Sequence, residues 1–221
     1  MLTALTLSVL VAAAPQPALA PGTYTYSASF GGQNVGTSTI VVKANGATTE
    51  LDERMSGSFQ GTAASGTATL VLGSDLAPVR YDLMGTVGGL PTHSSTTISG
   101  DGATETAGKG HNVYYQLNAG SAHFVVVDLG SFAGFLPLAA QMKAWSDAPV
   151  TAIVPSFQRS LAVAPIPSAT PQRPANVPAA DLSLSFGGDA PLTIWYDPAT
   201  FVPDVIETAQ GITVTRDAAA R

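Results

Sequence analysis

Three times along the chain a Gly-Gly pair breaks a run of β-branched, aromatic and hydroxyl residues: FGGQNVG at 30–36, LMGTVGGLPTHSSTTI at 83–98 and LSLSFGGDAPLTIWYD at 182–197. Glycine reaches positive φ without steric cost, and two adjacent glycines between strand-like segments specify a tight hairpin. Each hairpin commits its flanks to antiparallel pairing. The intervals between the three are too uneven for a repeat array and point to a meander. Further β-prone runs lie at 48–58, 67–72, 79–83, 113–117, 122–127, 151–154, 161–164, 202–208 and 212–216, bounded by Gly, Pro, Asp or Asn. About a dozen strands result, and a sheet of that size curls or closes because its strands twist. Composition agrees: 22 Gly, 16 Pro and only 11% charged residues supply turns and uncharged polar faces.

One segment departs from the strand pattern. In HFVVVDLGSFAGFLPLAAQMKAW, 123–145, an apolar run ends at Asp128, and beyond Ser131 the apolar residues fall at Phe132, Phe135, Leu136, Ala139, Met142 and Trp145. Spacings of three and four trace one helix face. The pattern predicts a helix near 135–145, with Ser131 able to cap it, Pro137 in its first turn and 132–136 as an irregular lead-in. The expected fold is mainly β: a large curved antiparallel sheet or partly open barrel wrapped around one α-helix.

A chain of 221 residues with 45% hydrophobic content suffices for one core, so a single β domain over 21–221 is expected. APIPSATPQRPANVPAA, 164–180, carries five prolines and reads as an extended surface loop. Residues 1–20 have the grammar of a signal peptide: an uncharged apolar run from Leu2 to Ala14, too short to span a bilayer, then Ala18-Leu19-Ala20 as a cleavage pattern. Export to the periplasm or the extracellular space is the expectation, with no membrane span after its removal. Net charge is −6 and the six arginines and three lysines are scattered, which argues against nucleic-acid binding. Without cysteine there is no disulfide, thiol nucleophile or Cys-ligated zinc.

Candidate chemistry is sparse. VVVDLGSFAG resembles the Asp-Thr/Ser-Gly loop of retropepsin-like proteases, but Leu129 stands at the hydroxyl position and the motif is not repeated. Asp128 reads equally as a strand-end turn former. Ser131 lacks the flanking glycines of a nucleophile elbow. His93, His111 and His123 have no paired metal-ligand spacing. Glu50, Asp52 and Glu53 read as surface charge beside Arg54, as do Glu105 and Glu207. No catalytic, metal or cofactor site is expected. What remains is apolar: Phe132, Phe135, Leu136, Met142 and Trp145, with Tyr24, Tyr26, Tyr114, Tyr115, Trp195 and Tyr196 on strands, either line a cavity between helix and sheet or fill it.

Several of these elements recur together: Gly22, Tyr24 and Tyr26, then Val35-Gly36, the VVVD strand running into a helix, and WYDPATFVP at 195–203. In that set the chain resembles exported bacterial β-sheet proteins of uncharacterised function, broadly similar to the periplasmic lipoprotein carriers LolA and LolB. The resemblance implies an unclosed barrel holding acyl chains beneath a lid, with Phe132, Phe135, Leu136, Met142 and Trp145 in the lid position. WYDPATFVP itself is a hairpin connection. Three functions are therefore weighed: a non-enzymatic carrier of a lipid or other apolar ligand; a structural domain meeting another envelope protein; and a hydrolase using Asp128 or Ser131.

Overall fold

The computed structural model describes residues 17–108, 110–128, 130–167, 169–189 and 191–217, so most of the expected signal peptide and Leu129 lie outside the described residues. Eight strands form a first meander: β1 (Gly22–Phe30), β2 (Gln33–Asn45), β3 (Thr48–Phe59), β4 (Thr62–Leu72), β5 (Pro78–Val87), β6 (Leu90–Ser99), β7 (Gly102–Ala107) and β8 (His111–Gln116). After β9 (His123–Val126) and the helix α1 (Leu138–Ala144), a second meander follows: β10 (Val150–Val154), β11 (Arg159–Pro165), β12 (Leu182–Gly188), β13 (Leu192–Tyr196), β14 (Pro203–Thr208) and β15 (Ile212–Arg216). All fifteen belong to one sheet, ordered β8 to β1, then β15 down to β9. Pairing between β1 and β15 joins the two meanders.

The sheet is curved and not closed, and the chain itself shows why it must curve. β8 and β9 are consecutive in sequence yet lie at opposite ends of the sheet, linked only by 117–122. Laid flat, fifteen strands would span about 65 Å, whereas that link reaches about 25 Å when fully extended. Only a rolled sheet brings the ends within reach. β9 and β10 form the parallel pair among otherwise antiparallel neighbours, because the chain returns through α1. Apart from half-buried His123 both strands are buried, and their sequences, HFVV and VTAIV, are correspondingly apolar with little or no alternation.

Elsewhere alternation sets the faces. On β1 Tyr24, Tyr26 and Ala28 point inward; on β2 Ser38, Ile40 and Val42; on β4 Ala68, Leu70 and Leu72. The glycine tips at Gly31-Gly32 and Gly88-Gly89 are turns with positive φ, as expected. At the third pair the strand runs through Gly187 and Gly188, and the turn falls beyond them. Strand β7 was not expected. Its sequence, GATETA, is weak in β propensity, and it is held by two flanking strands.

The segment after β9 has the predicted character with a later helix start. Phe135 and Leu136 N–H both bond to Phe132 C=O, and α1 begins only after Pro137, whose missing N–H is harmless there. No side chain caps the helix; Ser131 lies seven residues before its first residue and is bonded elsewhere. Phe135, Leu136, Leu138, Met142 and Trp145 are buried in the main core, so the segment plugs the hollow of the sheet.

Among the described residues of 166–181 the proline-rich stretch forms no strand or helix. Val177 joins Trp195 and Val205 in a cluster separate from the main core. Arg173 lies 4.8 Å from the Trp195 ring centre and donates to the carbonyls of Pro178 and Asp181. Trp195 is thus packed on the outer face and does not line the interior. At the end of this strap Asp181 is buried, and its pKa is pushed up to about 6 by that burial and by neighbouring Asp204 and Asp197; Arg216, paired with Asp204 at 2.6 Å, opposes the shift. Its folded pKa exceeds the unfolded value near 4, so the stabilisation is full below that value and is lost as pH rises through about 6. Urea unfolding at pH 5, 6.5 and 8 is therefore expected to show wild-type stability falling with pH, with a shallower fall in Asp181→Asn. Superimposable profiles would contradict the burial of this carboxyl.

Candidate functional site

The plug is held at both ends. At its start, Glu53 projects from β3 into the interior, where period-two alternation places it beside Leu51 and opposite Arg54. The Ser38 hydroxyl donates to Glu53 Oε1 at 2.5 Å and the Ser131 hydroxyl donates to Oε2. Backbone N–H groups of Phe132 and Ala133 donate to the same carboxylate at 2.9–3.1 Å. At the other end the Gln141 side-chain amide donates to Leu76 C=O at 2.9 Å, and the Trp145 indole N–H donates to Asp75 C=O at 3.0 Å. Both carbonyls belong to the β4–β5 connection, so α1 is clamped across the sheet. His123 stacks on Trp145, with ring centres 4.3 Å apart.

Glu53 is 1% exposed and Glu105 fully buried, which corrects the surface reading of both. Both belong to a polar layer where the first meander meets the end of β9. Glu105 accepts from the Ser94 hydroxyl at 2.7 Å and from Tyr115. Tyr81 donates to Asp128 Oδ2 at 3.3 Å, while Oδ1 completes no hydrogen bond; Ser156 and the Gly130 N–H beside the carboxyl oppose the effect of its burial. Burial raises the pKa values of Glu53 and Asp128 and holds the Tyr81 phenol well above its ordinary range. Asp52 behaves differently: on the outer face beside Lys43, its carboxyl is held low by that ammonium.

These positions define the chemistry available. Asp128 and Ser131 form a bridge, with Ser131 N–H donating to Asp128 C=O at 3.0 Å, so the predicted turn is present. Both side chains are sealed from solvent, and the Ser131 proton is directed at Glu53. They hold the entry to the plug. His93 and His111 are exposed. Among the described residues no group of three or more His, Asp or Glu could hold a metal ion.

Apolar space remains beneath the plug. A cavity of about 20 Å³ lies under Leu138, walled by Val125, Val150, Val163 and Phe186. A second, of about 50 Å³, opens toward the hairpin turns and is lined in part by Phe135, Arg159 and Gln210. Val127, Leu161 and Leu192 line both, so the two adjoin. Of the five residues predicted to meet a ligand, Phe135 borders this space; Leu136, Met142 and Trp145 fill the core, and Phe132 packs partly buried against it. Among the strand aromatics Tyr24, Tyr26 and Tyr115 are buried, whereas Tyr114 is 73% exposed. Sequence reasoning missed Leu138, three residues from Phe135 on the same face, and missed Arg159, which no pattern marks.

No family model matches the chain, and no curated protein matches it. Among solved structures it is similar to a crystal structure of a DUF1089 family protein from Pseudomonas aeruginosa, with 9% identity and a TM-score of 0.49 over 91% of this chain and 95% of that one. That family is uncharacterised. Among the described residues no helix is long and apolar enough to cross a membrane.

Proposed function

We propose that the protein is an exported, non-enzymatic binding module for an apolar ligand such as a lipid or acyl chain. The observation that carries the reading is the pair of adjoining cavities at the plug, an apolar one beneath α1 and one with mixed walls that reaches the surface beside Phe135 and the β12–β13 and β14–β15 turns. Their volume is small, near the space one or a few waters need. A ligand of any length therefore requires the plug to shift. The plug suits such a shift because polar bonds hold it at its two ends, while apolar contacts along its length are non-directional and can re-form against a hydrocarbon chain. Export rests on the apolar run from Leu2 to Ala14 and the Ala18-Leu19-Ala20 pattern.

The reading is tested with N-phenyl-1-naphthylamine, an apolar fluorophore that brightens out of water. Binding is expected, and Leu161→Trp, which fills the junction of the two cavities, is expected to weaken it by about tenfold or more while the far-ultraviolet circular dichroism stays unchanged. Failure to bind, or binding indifferent to the filled cavity, would favour the second reading, a structural or interaction domain of the cell envelope. That reading is supported by Met84, Val87 and Leu90, exposed around the β5–β6 hairpin.

A further inference from the structure

We infer that the mouth of the outer cavity is a head-group site for an anion, so that the preferred ligand is a single-chain amphiphile with a negatively charged head, such as a fatty-acid carboxylate. The inference rests on the apolar-ligand reading above and adds what that reading leaves open: which end of the ligand faces outward, and what recognises it. Arg159 lines the cavity at the start of β11 and is exposed to solvent. Its guanidinium sits 5.3 Å from the ring centre of Phe157, which is itself 54% exposed. No carboxylate of the described residues is ion-paired with it. The other charge at the mouth, Asp189, is held by the backbone and is not ion-paired with Arg159: its Oδ2 accepts the Ala162 N–H at 3.2 Å. A planar guanidinium with free donors, fixed against an aromatic ring, matches the bidentate geometry of a carboxylate or phosphate. Inward from it the walls turn apolar through Leu161, Leu192 and Val127, the order of surfaces that a charged head and a hydrocarbon tail require.

The test compares decanoate with decanol, which share a chain and differ in head charge, by displacement of N-phenyl-1-naphthylamine from wild type, Arg159→Gln and Arg54→Gln. Arg54 is an exposed arginine on β3, and its replacement controls for loss of positive charge alone. Decanoate is expected to bind wild type and Arg54→Gln alike and to lose about tenfold or more in Arg159→Gln, the effect of removing one charge-assisted hydrogen bond. Decanol is expected to bind all three equally. Decanoate binding that survives Arg159→Gln, or decanol binding without decanoate binding, overturns the head-group site and leaves the apolar-ligand reading standing. Displacement by neither amphiphile, together with failure of the fluorophore to bind, overturns both.

Discussion

Replacing Glu53 by Ala is expected to destabilise the protein by about 3–5 kcal/mol, because it takes the shared acceptor away from a buried cluster of hydrogen-bond donors. Four donors converge on this carboxylate: the hydroxyls of Ser38 and Ser131 and the N–H groups of Phe132 and Ala133. The hydroxyls can rotate toward other acceptors. The two backbone N–H groups cannot, because the lead-in to α1 fixes them, and each buried donor left unsatisfied costs about 1–3 kcal/mol. Glu53→Gln keeps one acceptor oxygen and the side-chain volume, and a loss of about 1–2 kcal/mol is expected. Urea unfolding measures both. Hydrogen exchange should locate the effect, with amides of 131–145 exchanging faster than those of β2 and β3. A loss below about 1 kcal/mol in Glu53→Ala would mean that water replaces the carboxylate freely, and the plug would then have no fixed start.

The second large effect is expected at Gly134, within the lead-in. A Cβ built there would lie 2.0 Å from the carbonyl oxygen of Val126 and 2.9 Å from its carbon. Both atoms are backbone of β9, which is pinned by β10 and cannot recoil as a side-chain tip could. Gly134→Ala is therefore expected to cost about 2–4 kcal/mol through overpacking, although alanine loses less backbone entropy on folding than glycine. Thermal unfolding reads the loss. Gly130, where a Cβ would meet nothing within 4 Å, is the matched control, and Gly130→Ala should change stability little. Equal effects at the two positions would show that chain flexibility, not contact with β9, accounts for the result.

Both predictions concern a segment that the sequence made partly readable. Spacings of three and four over Phe135, Ala139, Met142 and Trp145 exposed the plug, and Pro137 marked where regular helix can begin, because proline tolerates a helix start and little else. What held the plug was less visible. Glu53 stands in Leu51-x-Glu53-x-Met55, a period-two pattern that places it inward. Its neighbours Glu50, Asp52 and Arg54 suggested an outer face, and local charge outweighed strand parity in the reading. Glu105 was misread for a different reason: it is isolated in GATETA, whose small residues gave no sign of a strand and therefore no parity to place it inward. Of the hydroxyls that make these carboxyls tolerable, Ser38, Ser94 and Tyr115 come from strands next in sequence to those of the acids they serve, whereas Ser131 comes from the lead-in, 78 residues from Glu53. Arg159 was illegible because one exposed arginine has no pattern; its setting is made by β11, β13 and the plug lead-in, which meet only in the fold.

A rolled sheet whose margins do not join has two borders, and here they differ in kind. β9 is buried from Phe124 to Val126 and lies against β5 across the roll. β8 runs along the outside with His111, Asn112 and Tyr114 in solvent, and among the described residues no strand pairs beyond it. Unpaired peptide groups along such a border invite a further strand. Lengthening of this sheet by a neighbour's backbone can therefore proceed from one side alone, so association by that route would be capped at a pair if the two copies met β8 to β8.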